Sequence, residues 1–110
     1  MRAALIVFYA AVLAAMIVLT VGASLDRGVF EAGRALWPDP WFRATLADTY
    51  FAFLTIWLWI AWRERSAWRA GIWFLLVMGL GNIAIAAYAL WRLLRWDPRD
   101  GVAALLLPAR

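Results

Sequence analysis

Hydrophobic and polar positions along this chain fall into long blocks rather than short periods. Ala3–Leu25 is an uncharged apolar run of 23 residues between Arg2 and Asp26, and Ala70–Trp91 is another of 22 residues between Arg69 and Arg92. As helices they extend roughly 33–35 Å, enough for the ~30 Å hydrocarbon layer of a bilayer. Between them Ala44–Trp62, 19 residues with Arg43 and Arg63 at its edges, carries one charge, Asp48, ahead of the core YFAFLTIWLWIAW. The pattern predicts an all-α integral membrane protein, a single membrane domain over residues 1–110. Its three transmembrane helices are expected at approximately 3–25, 44–62 and 70–91. The first run is longer than the 7–15-residue apolar core of a signal peptide and is read as a retained span.

The connectors carry their own signals. Gly28–Trp37 sets Val29, Phe30, Gly33, Leu36 and Trp37 near one face and Glu31 and Arg34 on another, which predicts a short amphipathic helix lying in the interface between helices 1 and 2. Asp39-Pro40 is a helix start, an N-cap carboxylate followed by proline at the first helical position, with Arg43 four residues on. Arg63–Arg69 is short enough to demand a tight turn between antiparallel helices. Trp96-Asp97-Pro98 repeats the cap-and-proline device, and the apolar Val102–Leu107 after it is too short to cross, so an interfacial C-terminal segment is expected.

Composition supports the bilayer and narrows the chemistry. Hydrophobic residues make up 67% of the chain and the mean hydropathy is +0.77. Soluble domains hold about 45–50% apolar residues, and a chain this short cannot hide such an excess within itself. His, Cys and Lys are absent, and all eleven basic residues are Arg. That removes imidazole and thiol chemistry and the usual ligands of zinc, haem and iron–sulfur centres. No catalytic residue, metal site or cofactor is expected. A pI of about 10.7 would suggest nucleic acid in a soluble protein, but Arg at the edges of apolar runs reads as topology signal and lipid-headgroup contact, so no nucleic-acid partner is expected. The nine Trp concentrate at the run ends. Trp37, Trp41, Trp62, Trp68, Trp73, Trp91 and Trp96 are expected as interface anchors. Trp57 and Trp59, inside the second run, are expected to face lipid or pack, a pigment or lipid pocket being the alternative.

Polar groups within the runs are the candidate site. Asp48 is the one carboxylate in a span, roughly 6 Å in from Arg43. With three antiparallel spans the same depth holds Tyr88 on the third and Thr20 or Ser24 on the first, with Arg92 a turn above as an ion-pair partner. Asn82 is the deepest strong polar group, with Thr55 near its depth. The ligand or ion candidates are therefore Asp48, Tyr88, Asn82, Thr55 and Arg92. Small residues suggest packing faces: Gly79, Asn82, Ala86 and Ala89 on the third span against Ala4, Ala11, Ala15 and Gly22 on the first. Orientation is balanced in a three-span reading. Arg2, Arg63, Arg65 and Arg69 lie on one side, and Arg27, Arg34, Arg43, Arg92, Arg95, Arg99 and Arg110 on the other. The count favours the second side as cytoplasmic. The density of Arg in the short turn favours the first, and with it an N-terminus in the cytoplasm.

Asp39-Pro40-Trp41-Phe42, the segment Ala47-Asp48-Thr49-Tyr50-Phe51-Ala52-Phe53-Leu54-Thr55, then Trp62-Arg63-Glu64-Arg65-Ser66 and Gly81-Asn82-Ile83-Ala84 resemble a family of small three-span bacterial and plant membrane proteins catalogued only as a domain of unknown function. The resemblance covers nearly the whole chain. It implies three spans and singles out Asp48, Tyr50, Glu64 and Asn82; it implies no activity. The functional expectation is an accessory or assembly subunit of a larger respiratory or photosynthetic membrane complex, sited in the bacterial inner membrane. Its expected partners are the lipid bilayer and other membrane subunits or copies of itself. The alternatives are a homo-oligomeric small transporter or channel using Asp48 and Asn82, and a lipid- or isoprenoid-modifying enzyme using Asp48 and Glu64. About 24 Å of helix separates those two carboxylates, which ranks the enzyme last.

Overall fold

The computed structural model describes residues 1–108. Among them the chain is helical throughout: α1 (Arg2–Asp26), α2 (Val29–Leu36), α3 (Pro40–Glu64), α4 (Ala67–Leu80), α5 (Asn82–Arg95), a 3-10 turn at Pro98–Asp100 and α6 (Val102–Leu106). Two helices, α1 and α3, are long and apolar enough to cross a membrane, at 25 residues each. The short helix expected after α1 is α2, and Asp39 caps α3 as its spacing requires, its carboxylate accepting from the Trp41 amide at 2.9 Å with Pro40 in the first turn. Asp97 caps the 3-10 turn in the same way. The side-chain and backbone hydrogen bonds from Arg99 hold the Asp97 carboxyl below the usual carboxylate range. Arg110, counted in the orientation argument, lies outside the described residues.

The continuous third span expected over 70–91 is not formed. The chain breaks at Gly81, whose φ of 59° and ψ of −125° belong to no helix. The two pieces, α4 and α5, have 14 residues each, about 21 Å, too short to cross alone. They also do not run on in one line. Collinear helices would set Trp73 and Tyr88 about 22 Å apart, yet their rings meet edge to face with centroids 4.8 Å apart. Gly81 therefore turns the chain into a helical hairpin that doubles back on itself.

Contacts fix the direction of each arm. α4 descends beside α3, where the Tyr50 hydroxyl donates to the Met78 carbonyl and Trp57 Nε1 to the Ala70 carbonyl. α5 returns between α3, α4 and α1, and Ala84, Ala86, Tyr88 and Leu93 along it are buried. The core is small: Ile60, Val77, Ala84 and Tyr88, flanked by Phe53, Ile56, Trp59, Trp73, Ile85 and Trp91. No residue of α1 is buried. Its half-buried residues, Arg2, Leu5, Ile6, Tyr9, Val12, Leu13 and Met16, form one stripe, and everything from Ile17 to Asp26 is exposed. Hence α5, about 21 Å long, covers only the first part of α1. Of the small residues expected at the packing of these helices, Ala86 is buried and Ala89 half-buried on α5, and the difference lies on the α1 side. Ala11, Ala15 and Gly22 face outward, and nothing lies within 4 Å of a side chain built on Gly22 or Gly79.

Gly81 is conformationally obligatory. A Cβ at that position would lie 2.7 Å from Phe53 Cζ, and φ 59° with ψ −125° is a conformation that L side chains adopt only rarely and under strain. Gly81→Ala is expected to destabilise the fold by about 1–3 kcal/mol, seen as a lower thermal midpoint in detergent by circular dichroism. Gly79→Ala, two residues away in open space, is expected to be neutral or stabilising by up to about 1 kcal/mol. Equal effects from the two substitutions would refute the hairpin.

Candidate functional site

The fold-back gathers four chain segments at one end of the molecule: the start of α1, the α3–α4 turn, the end of α5 and α6. The α3–α4 turn is tight because Arg65 takes the left-handed conformation at φ 54° and Ser66 starts α4. Each helix end there leaves unpaired carbonyls, and arginines satisfy them. Arg2 Nε donates to the Leu93 carbonyl at 3.0 Å and Nη2 to Leu94 at 3.3 Å, closing the end of α5. Arg63, only 5% exposed, donates through Nε to Leu105 at 2.9 Å, beside Trp59 Nε1 to Leu106 at 3.0 Å, and these close α6. The charge also sits at the negative pole of each helix, which favours it further.

Beside these caps lies a carboxylate on a floor of aromatic rings. The Tyr88 hydroxyl donates to Glu64 Oε1 at 2.7 Å, and Arg69 Nη1 stands 3.7 Å from Glu64 Oε2. The Glu64 side chain is 6% exposed and that of Arg69 58%. Tyr88 is held edge-on by Trp59 at 5.7 Å and Trp73 at 4.8 Å, with Trp91 tilted at 5.9 Å. Such pairs contribute about 0.5–1.5 kcal/mol each. Above them opens a cleft of about 440 Å³ lined by Arg63, Glu64, Arg65, Arg69, Trp91, Arg92 and Arg95. The guanidinium groups of Arg92 and Arg95 lie over the Trp91 ring at 5.5 and 5.2 Å from its centroid. Arg92 Nε is buried with no hydrogen-bond partner among the described residues. Five Arg and one Glu give the cleft a formal charge of +4, the net charge of the whole chain; the six other Arg are balanced by the six other carboxylates.

The sequence-derived candidates are distributed differently from the expectation. Asp48 and Asn82 do meet, with Thr49, Ala52, Phe53, Ile56 and Ile85, around an open cavity of about 400 Å³ near the hairpin tip. Both are exposed. Tyr88 and Arg92 are not with them; they lie at the other end of α5 with Glu64. Thr55 bonds its own helix, its hydroxyl donating to the Phe51 carbonyl at 2.9 Å. The reason is the direction of α5. In a continuous span Tyr88 continues toward the depth of Asp48, whereas in a hairpin it returns toward Glu64. Of the Trp expected as anchors, Trp37, Trp41, Trp62 and Trp68 are exposed, Trp73 and Trp91 wall the Tyr88 site, and Trp96 is buried, donating to the Gly101 carbonyl. Trp57 and Trp59 are both hydrogen-bonded to carbonyls. Sequence reasoning missed the Arg92–Arg95–Trp91 cluster, although Trp91 and Arg95 stand four residues apart and Arg92 and Arg95 three, the spacings of neighbours on a helix.

A family model described as Protein of unknown function (DUF1475) matches residues 1–110. The chain belongs to this family. No curated protein and no solved structure matches the chain. In this DUF1475 chain the Glu64–Tyr88 bond is the best-enclosed polar contact of the basic end, and removing its donor leaves a nearly buried carboxylate short of one partner. Tyr88→Phe, which keeps the ring contacts, is expected to lower the free energy of unfolding by about 1–3 kcal/mol. Tyr88→Ala, which also empties the ring site, is expected to cost about 3–5 kcal/mol. Detergent melts of the two variants measure the difference, and a Tyr88→Phe variant as stable as wild type would deny the bond any structural weight.

Proposed function

We propose that this protein is a small integral membrane protein of the bacterial inner membrane, an accessory or assembly subunit of a larger membrane complex, respiratory or photosynthetic. The observation that carries this reading is α1. None of its 25 residues is buried, and the outward Ala11, Ala15 and Gly22 leave its backbone open to close approach by another helix. An apolar groove of about 550 Å³ between α2 and the start of α3, walled by Val29, Phe30, Leu36, Trp37, Phe42 and Leu46, adds a second uncovered surface on the far side. A chain with no His or Cys has little redox chemistry of its own to offer such a complex and much surface to offer it.

In this reading α1 and α3 cross the bilayer, and α4–α5 enters from the Arg-rich side and returns to it. Non-helical backbone at membrane depth is tolerated where protein covers it, and Gly81 is buried against Phe53. The topology changes the charge balance between the two faces. Arg2, Arg63, Arg65, Arg69, Arg92, Arg95 and Arg99 share one face, and Arg27, Arg34 and Arg43 the other. The positive-inside rule then puts the N-terminus, the α3–α4 turn and α6 in the cytoplasm.

Two experiments test these points. The natural absence of cysteine makes single-site labelling clean. Ala67→Cys and Ala103→Cys are expected to react with a membrane-impermeant maleimide only in inverted vesicles, and Ser24→Cys only in right-side-out ones. Labelling of Ala67→Cys and Ala103→Cys from opposite sides would instead mean three full crossings. For the partner, extraction in mild detergent is expected to recover the chain in a larger complex, and Ala11→Leu with Ala15→Leu to release it still folded; a chain that always migrates alone would overturn the subunit reading.

A second reading, transport by a homo-oligomer, is favoured by one observation: Asp48 and Asn82 line the same cavity. It expects Asp48→Asn to abolish flux in proteoliposomes, and unchanged flux removes it. A lipid-modifying enzyme pairing Asp48 with Glu64 is disfavoured, because both stand on the one helix α3 about 24 Å apart.

A further inference from the structure

We propose that the cleft between the α3–α4 turn and the last turn of α5 binds a phosphate-bearing anion. Arg65, Arg69, Arg92 and Arg95 supply the guanidinium groups, Trp91 the platform that orients two of them, and Glu64 the floor. Its charge calls for an anion. Five Arg face one carboxylate, and that carboxylate is already engaged by the Tyr88 hydroxyl and by Arg69. The excess is local to the cleft, since the rest of the chain is neutral in formal charge. Clustered like charges at a low-dielectric boundary repel one another, and an anion among them removes that cost.

Geometry makes the site specific rather than a diffuse basic surface. The buried Arg92 Nε has no acceptor among the described residues. A buried donor left unpaired costs about 1–3 kcal/mol, and such groups are rare without an unseen partner. Because that Nε is enclosed as the side chain stands, a ligand oxygen becomes its partner by a turn of the Arg92 head toward the cleft that it lines. The guanidinium carbons of Arg92 and Arg95 both lie over the Trp91 ring, which draws two cations to one wall of the cleft before a ligand arrives. Planar forks match the paired oxygens of a phosphate, which accepts from more than one of them at once.

The surroundings favour a lipid headgroup as the source of the phosphate. A second cleft of about 280 Å³ shares Glu64, Arg69 and Trp91 with the first and continues over Ile72, Trp73 and Leu76 down the hairpin. A phosphate held among the arginines can thus lay an acyl chain along that apolar groove. A free phosphate would use the first cleft alone.

The test uses the full chain in nanodiscs or detergent, with native mass spectrometry and thermal shift as readouts. The probes are phosphatidylglycerol, phosphatidylcholine and inorganic pyrophosphate. Phosphatidylglycerol is expected to remain bound and raise the thermal midpoint, with phosphatidylcholine at least tenfold weaker. Arg95→Gln and Arg92→Gln are expected to weaken phosphatidylglycerol binding at least tenfold. Arg92→Lys, which keeps the charge and loses the Nε donor, is expected to weaken it several-fold. Arg99→Gln removes the same charge from an arginine held by Asp97 outside the cleft and is expected to change binding less than twofold. Pyrophosphate binding as tightly as the lipid, with the same arginine dependence, would support the site and reassign its source to a soluble phosphate. Equal losses from Arg95→Gln and Arg99→Gln would reduce the effect to diffuse surface charge and overturn the proposal, as would a wild-type chain that retains none of the three probes. Arg95 is exposed, so Arg95→Gln with wild-type helicity carries the test even where Arg92→Gln does not fold.

Discussion

The close approach of Gly81 to the Phe53 ring is the constraint on which the rest depends. A residue with a Cβ would meet that ring at 2.7 Å and could not hold a φ of 59° without strain. Because glycine stands there, the stretch Ala67–Arg95 becomes two 14-residue arms on either side of it. Tyr88 then lies under Glu64 instead of across the molecule from it. Four chain segments meet at one pole, and the terminal carbonyls of α5 and α6 come within reach of Arg2 and Arg63. The wedge is itself held: Phe53 packs edge-on against Tyr50, and the Tyr50 hydroxyl is bonded to the Met78 carbonyl three residues before the turn. Side chains of α3 thus support the bend from both sides.

Local chemistry was legible in the sequence. The caps at Asp39 and Asp97, the short helix before Pro38, the tight turn after Arg63 and the two long helices each follow from neighbours in the chain. The hairpin does not. Gly79-Leu80-Gly81-Asn82 lies in the middle of 22 uncharged residues, and hydropathy over such a length reads as one crossing. Glycine is common in membrane helices, so its presence alone does not break one. What breaks this one is a contact with a residue 28 positions earlier, which no local window contains. The same fact explains the errors in the candidate site. Depths assigned along a straight span were reversed beyond Gly81, which separated Tyr88 and Arg92 from Asp48 while bringing Asn82 toward it.

The basic pole shows how a chain without Lys or His distributes a single kind of cation. Arg2 and Arg63 are consumed by backbone carbonyls, a role that needs several donors on a planar head. Arg99 is held by Asp97 at 2.8 Å and Arg69 stands by Glu64. Arg92 and Arg95 share Trp91. Of the arginines at this pole, these two and Arg65 have neither a carboxylate nor a carbonyl among the described residues to satisfy them, and all three border one cleft. Charge and unsatisfied donors therefore coincide in one place, whereas the Asp48–Asn82 cavity near the other end has exposed polar groups that water or lipid headgroups can reach.

Length sets the last constraint. An α1 of 25 residues beside an α5 of 14 leaves about 16 Å of apolar helix beyond the hairpin tip, where every residue from Ile17 to Asp26 is exposed. Lipid alone satisfies such a surface, since hydrocarbon is as apolar as the side chains it meets. Lipid does not account for where the small residues lie. Ala11, Ala15 and Gly22 occupy the side of α1 turned away from α5, while the bulkier Leu5, Tyr9, Leu13 and Met16 make the internal contact. Within a bilayer, small residues gain their packing advantage only when another backbone comes close, and the internal partner of α1 is met by large ones. The outward side also carries the exposed Phe8 and Val18, so the proposed subunit reading rests on how closely another helix can approach between them, at Ala11, Ala15 and Gly22.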